Sequence, residues 1–264
     1  ANGAAYKVAP RVLTDLGAEI IPLGCSPNGR NINLRCGSTS PELIQATVSG
    51  VHADVGIALD GDGDRLVMVD HLGRIADGDQ LLYVIASDRK RAGTLQGPVV
   101  GTVMSNLGLE QKLQAEGVEF LRAKVGDRYV LAMLKEHGGV LGGETSGHLL
   151  CLDRTTTGDG LVSALEVLAV MKRTGRPLAE LVAGMPKFPQ VMINVRVRER
   201  IDPSQSQVIQ DAVRRVEKVL GATGRVVLRA SGTEPVIRVM IEAEDEAVAS
   251  RYASELAEVV RTAI

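Results

Sequence analysis

Three carboxylates fall within five residues at Asp60-Gly61-Asp62-Gly63-Asp64, and Arg65 follows them. Like charges this close repel, and at the end of an apolar run they are costly without a cation. The alternating glycines remove side-chain bulk and permit positive φ, so the loop can turn all three carboxylates on one point. An all-oxygen donor set suits a hard divalent ion, and Mg²⁺ is the expected cofactor, held by Asp60, Asp62 and Asp64. An EF-hand is excluded: counted from Asp60, the sixth position is Arg65 rather than Gly and the twelfth is His71 rather than Glu. An aspartyl-phosphate phosphatase stays open, with a strand ending in Asp-x-Asp and Asp60 as nucleophile. That reading leaves Asp64 and Arg65 without a role.

Two further stretches carry chemistry. Gly142-Gly143-Glu144-Thr145-Ser146-Gly147-His148 sets a carboxylate, a hydroxyl and an imidazole between glycines after a short apolar run. Glu144, Ser146 and His148 suit the hydroxyl groups of a sugar, and His148 can also move a proton. Ser146 does not sit in a Gly-x-Ser-x-Gly elbow, so a serine nucleophile is not expected. Arg229-Ala230-Ser231-Gly232-Thr233-Glu234-Pro235 joins two apolar runs. Backbone N–H groups around Gly232, the hydroxyls of Ser231 and Thr233 and the Arg229 fork make a phosphate site, with Arg238 pointing the same way. It is not a Walker loop, because the Gly-Lys-Ser/Thr ending is missing. Lys124, before Gly126-Asp127 and a helix start, is a candidate phosphate contact or general acid. The plain alternatives are a solvated acidic turn at 60–65, ordinary turns with incidental polar residues at 142–148 and 229–235, and a surface lysine at Lys124.

These loops need elements to deliver them. Helical spacing at 9–17 and 41–49 is followed by strands at 19–23, 55–59 and 66–69 and a helix at 80–90. The pattern restarts with strands at 99–104 and 118–123, helices at 107–115, 126–137, 159–173 and 178–183, and an apolar run at 140–143. Alternating β and α segments predict a mostly parallel sheet in each part. After 186–189 the order is strand, helix, two strands, helix, which predicts a small α+β domain. The expected class is therefore α/β: two consecutive α/β domains at 1–94 and 95–187, then an α+β domain at 188–264.

Composition narrows the partners. The 264 residues carry a net charge of −2 and 2% aromatics, so neither a nucleic acid nor an anionic membrane is expected as a partner. No apolar run is long enough to span a bilayer. Three widely spaced cysteines, Cys25, Cys36 and Cys151, read as reduced thiols of a cytoplasmic protein.

With a metal loop, a hydroxyl loop and a phosphate loop in this order, the sequence resembles the α-D-phosphohexomutases along essentially its whole length. Residues 60–65 match the family's metal loop, 143–148 its sugar loop and 229–235 its phosphate loop. The segments Cys36-Gly37-Ser38-Thr39 and Gly101-Thr102-Val103-Met104-Ser105-Asn106-Leu107-Gly108-Leu109-Glu110 resemble the bacterial phosphoglucosamine mutase branch most. The resemblance covers family domains two to four, domain two without its first strand. It implies a missing N-terminal domain of the same protein that carries a phosphorylated catalytic serine. It further implies conversion of glucosamine 6-phosphate to glucosamine 1-phosphate through a bisphosphorylated sugar, for amino-sugar nucleotide and cell-wall precursor synthesis. On that match Asp60, Asp62 and Asp64 hold Mg²⁺, and Arg65 contacts the phosphoserine or sugar side. Lys124 falls at an active-site lysine, and Glu144, Ser146 and His148 grip the sugar. Arg229, Ser231, Gly232 and Thr233 hold the remote phosphate. A bisphosphorylated sugar activator is implied as a second partner. A phosphomannomutase or phosphoglucomutase, the phosphatase using Asp60 and a non-enzymatic sugar-phosphate sensor remain as alternatives. The chain alone is expected to be inactive.

Overall fold

The computed structural model describes residues 1–197, 202–231 and 234–263. The chain divides into two compact units, one of Ala1–Ser105 with Leu109–Met185, the other of Asn106–Gly108 with Pro186–Ile264.

In the first unit, α1 (Val8–Asp15) and α2 (Glu42–Val51) precede a three-stranded sheet of β1 (Val55–Leu59), β2 (Leu66–Asp70) and β3 (Ile75–Ala76), in that order. Its strands pair antiparallel, with Leu59 opposite Leu66. Parallel pairing fails here for a simple reason: only residues 60–65 join β1 to β2, and a parallel crossover takes a dozen residues or more. The acidic loop is therefore the tip of a hairpin. Residues 18–23 join no ladder, against the expected strand at 19–23.

The second sheet has the order β5 (Phe120–Ala123), β4 (Val99–Thr102), β6 (Leu141–Gly143), β7 (Leu149–Cys151). Here β4 is parallel to β5 and β6, as alternating β and α segments require, and β7 closes a hairpin on β6. Helices α4 (Leu107–Ala115), α5 (Asp127–His137) and α6 (Gly160–Thr174) follow β4, β5 and β7, and α7 (Leu178–Val182) follows α6. Between the two sheets in sequence lies α3 (Gly78–Arg91), whose Asp77 and Gln80 form a reciprocal N-terminal cap. Asp159 caps α6 through the N–H groups of Leu161 and Val162. Leu66 and Met68 of β2, Leu81, Leu82 and Ile85 of α3, and Val99, Leu141, Leu149 and Val167 share one core. Each such side chain contributes about 1.5–3 kcal/mol by leaving water. Residues from either side of position 94 thus pack into a single core.

The second unit is an antiparallel sheet in the order β8 (Gln190–Arg196), β10 (Val236–Ala243), β9 (Gly224–Ala230). Helices α8 (Gln207–Leu220) and α9 (Glu246–Ala263) pack on it through Ile209, Val216, Leu256 and Val260 against Ile237, Val239 and Ile241. Glu242 is fully buried, and Arg225, Gln190 and the Leu107 N–H satisfy it. The strand, helix, strand, strand, helix order is the expected one.

Candidate active site

β1 carries Asp60 to its end and buries it. Its Oδ1 accepts from the N–H groups of Gly63 at 3.1 Å and Arg65 at 3.2 Å, which curls the loop around the carboxylate. Arg65, itself half exposed, brings its Nε to 3.9 Å from Asp60 Oδ2. One oxygen each from Asp60, Asp62 and Asp64 can lie within 4.8 Å of the others. Asp62 is exposed, and Asp64 is partly buried with its Oδ1 enclosed and lacking a hydrogen-bond partner. Burial and then the charge of Asp60 push the Asp64 carboxyl above its ordinary range, against the pull of His148. Three crowded carboxylates, one with an orphaned buried oxygen, form a donor set that fits a hard divalent ion.

The turn between β6 and β7 lies against this loop. Leu66 N–H donates to Gly147 O at 3.0 Å, and Arg65 and His148 form an isolated antiparallel bridge. Gly147 has φ +92°, and a Cβ there would meet Leu66 O at 2.0 Å, so only glycine lets the turn come this close. His148 is buried, with Nδ1 3.2 Å from Asp64 Oδ2 and Nε2 4.0 Å from Asp127 Oδ2. It therefore faces the metal loop, while Ser146 is exposed and Glu144 partly so. Glu144 Oε1 accepts from Gly126 N–H at 2.9 Å, which ties the stretch after Lys124 to the hydroxyl loop. Lys124 is exposed, with Nζ 6.0 Å from the Tyr129 ring centroid. Stretches at 60–65, 124–127 and 144–148 thus converge. Burial pushes the Cys151 thiol up to about 11, which removes it as a nucleophile.

The arginine loop belongs to the second unit. Arg229 on β9 and Arg238 on β10 are directly opposed cross-strand partners. Arg229 Nε is buried without a hydrogen-bond partner, and burial, then the charge of Arg238, pulls its pKa down. Ser231 is buried, and its Oγ accepts from Glu234 N–H at 3.3 Å. Two like charges side by side, one with an unmet buried donor, make a positive pair to which an anion is complementary. Gly232 and Thr233 lie outside the described residues.

Sequence reading missed Asp79 and the pairing of His148 with Asp64. Asp79 falls just before the helix expected at 80–90 and carries no motif, and the His148 pairing spans sequence segments that no local spacing connects.

Models of three successive domains of one family match the chain. Domain II of phosphoglucomutase/phosphomannomutase, described as alpha/beta/alpha, matches residues 1–73, alpha/beta/alpha domain III matches 77–188 and the C-terminal domain matches 192–259. The chain belongs to the phosphoglucomutase/phosphomannomutase family. A relative from Alkalilimnicola ehrlichii, named phosphoglucosamine mutase, is 58% identical over 100% of this chain and 58% of its own length. This phosphohexomutase chain thus spans under two thirds of that relative. Among solved structures, a phosphoglucomutase/phosphomannomutase family protein from Burkholderia thailandensis aligns with a TM-score of 0.82 at 26% identity, over 99% of this chain and 59% of that one. An Aspergillus fumigatus N-acetylphosphoglucosamine mutase, solved with GlcNAc-6P and magnesium, aligns at 0.76 and 21% identity, over 94% and 61%, and shares the fold. Among the described residues of this family member, no helix is long and apolar enough to cross a membrane.

Proposed function

We propose that this chain supplies the metal, sugar and phosphate sites of a phosphoglucosamine mutase. That enzyme interconverts glucosamine 6-phosphate and glucosamine 1-phosphate through a bisphosphorylated sugar. The convergence of the acidic hairpin with the 144–148 turn carries this reading, supported by 58% identity along the whole chain to a relative of that name.

Asp60, Asp62 and Asp64 would hold the divalent ion, Mg²⁺ in this reading, which when bound neutralises charge on a transferring phosphoryl group. Arg65, exposed beside Asp60, would meet the incoming phosphoryl oxygens. Glu144 and Ser146 accept from and donate to sugar hydroxyls, and Lys124 supplies a cation or a proton at the same mouth. His148 orients Asp64 through Nδ1. Arg229, Arg238, Ser231, Gly232 and Thr233 hold the phosphate that does not react, so the sugar can be presented from either end. A phosphoserine from a further domain would donate the transferred group, and a bisphosphorylated sugar would prime it. Conversion of an amino-sugar phosphate in this way would serve amino-sugar nucleotide and cell-wall precursor synthesis.

Asp60 is a poor phosphatase nucleophile, since it is buried and two backbone N–H groups occupy its Oδ1. Titration calorimetry with Mg²⁺ and glucosamine 6-phosphate tests the reading, alongside the 6-phosphates of glucose and mannose. Binding of the amino sugar in preference, with no turnover by this chain alone, is expected. Preference for the neutral sugars would favour phosphoglucomutase or phosphomannomutase chemistry, and steady release of inorganic phosphate would favour the phosphatase.

A further inference from the structure

We propose that Asp79, on the first turn of α3, is a positioning residue for the sugar: its carboxylate holds the Thr145 hydroxyl and so fixes the turn that presents Glu144 and Ser146. The proposal rests on the sugar-phosphate reading above for the identity of the ligand, but not for the geometry of the turn.

Asp79 is fully buried, an expensive place for a carboxylate. The positive end of α3 offsets part of that cost. Its Oδ2 accepts from Thr145 Oγ1 at 2.8 Å. The neighbouring Gly78 N–H donates to Thr145 O at 3.1 Å, so helix start and turn are joined twice at one residue. A Cβ on Gly78 would fall 2.1 Å from Glu144 O and 2.7 Å from Gly147 N. The backbone of the turn therefore rests directly on α3.

The platform beneath is firm. Leu81, Leu82 and Ile85 are buried to 1% exposure or less, and the Asp77–Gln80 cap closes the helix start. Thr145 sits between Glu144 and Ser146, and its own side chain reaches Asp79. A charge-assisted hydrogen bond at that point sets where Glu144 and Ser146 project. Displacement of about 1 Å in such a support is enough to lower binding and turnover strongly.

The test uses Asp79→Asn, Thr145→Val and Thr145→Ser in the 264-residue chain with Mg²⁺. Calorimetry measures glucosamine 6-phosphate, inorganic phosphate and Mg²⁺, and amide hydrogen exchange reads residues 144–148. Asp79→Asn and Thr145→Val are expected to weaken glucosamine 6-phosphate about fivefold or more while inorganic phosphate and Mg²⁺ stay within about twofold. Exchange at 144–148 is expected to quicken by about tenfold in the same two variants. Thr145→Ser, which keeps the hydroxyl, is expected to match the parent in both. Parental exchange in Asp79→Asn and Thr145→Val overturns the proposal. So does an equal fall in all three affinities together with thermal stability, the mark of a general structural role. If the parent does not bind glucosamine 6-phosphate, the substrate reading fails and exchange alone decides for Asp79. If Asp79→Asn does not fold, the contrast between Thr145→Val and Thr145→Ser decides.

Discussion

Asp62 differs from its two neighbours in being exposed, and that separates metal binding from folding. Asp62→Asn removes a charged oxygen while leaving the core untouched. It is expected to weaken Mg²⁺ by about tenfold or more, roughly 1.4 kcal/mol, while stability in chelator stays within about 0.5 kcal/mol. Calorimetric titration and thermal unfolding measure the two effects, and parental Mg²⁺ affinity would take Asp62 out of the site. Arg229 makes a second case. Its Nε is buried without a hydrogen-bond partner beside Arg238, and a lysine would put a point charge where a fork is needed. Arg229→Lys is expected to weaken glucosamine 6-phosphate by about tenfold, as loss of a charge-assisted contact of about 1.5 kcal/mol implies. A change under about twofold by the same titration would mean that this loop does not seat the phosphate. The acidic cluster was legible in the sequence because its donors fall within five residues. The contact of His148 with Asp64 was not, because strand pairing in the folded chain alone brings them together.

At the scale of elements, helices with strong caps were easiest to read: Asp159 marks the start of α6 in both sequence and structure. Strands β3 and β7 were missed because two or three residues are too few to show a period. The packing of the turn on β2 yields a test. Gly147→Ala must place a Cβ against Leu66 O at positive φ, which is expected to cost about 1–3 kcal/mol in chemical denaturation. Unchanged stability would show that the turn moves aside freely. The middle of α3 and the end of α4 meet differently, through a carboxylate. Burial raises the Glu116 pKa, but hydrogen bonds from Ser87 at 2.6 Å and Tyr83 at 3.0 Å, with Lys112 at 3.1 Å, outweigh it and hold it below its ordinary value of 4.5. A depressed carboxylate contributes stability above its unfolded pKa, and that contribution is lost as pH falls through the folded one. Glu116→Gln is therefore expected to lower stability at pH 7, with the gap to the parent narrowing below about pH 4.5. Urea titrations at pH 7 and at pH 3.5 would reveal a gap that stays constant if this linkage is wrong.

Stability is spread unevenly over the whole molecule. Among residues 1–54 only Cys36 and Val48 are buried. Helix α1 buries none of its residues, and Val8, Leu16, Ile21, Ile32, Leu34, Leu43 and Val51 stand exposed. Ile20, Ile21 and Leu23 line a cleft of about 170 Å³ together with Val55 and Ile57, with no ladder between them. In contrast, β2 is buried at every position, and β10 from Val239 to Ala243. Helical periodicity showed where α1 and α2 form, but nothing in a local pattern reveals how little they cover. Local opening should follow this difference, because segments with few buried apolar contacts open at the lowest free energy. Native-state hydrogen exchange is expected to release the amides of α1 and residues 18–35 first. Those of β2, α3 and β10 should follow only near global unfolding, with limited proteolysis cutting first within 17–35. Since the acidic hairpin ends on β2 and the 144–148 turn leaves from β6, both buried at every position, exchange in those two strands should stay slow while the N-terminal segment opens. Should α1 prove as protected as β2, the exposed apolar side chains are covered in solution, and the acidic hairpin then depends on that cover for its shape.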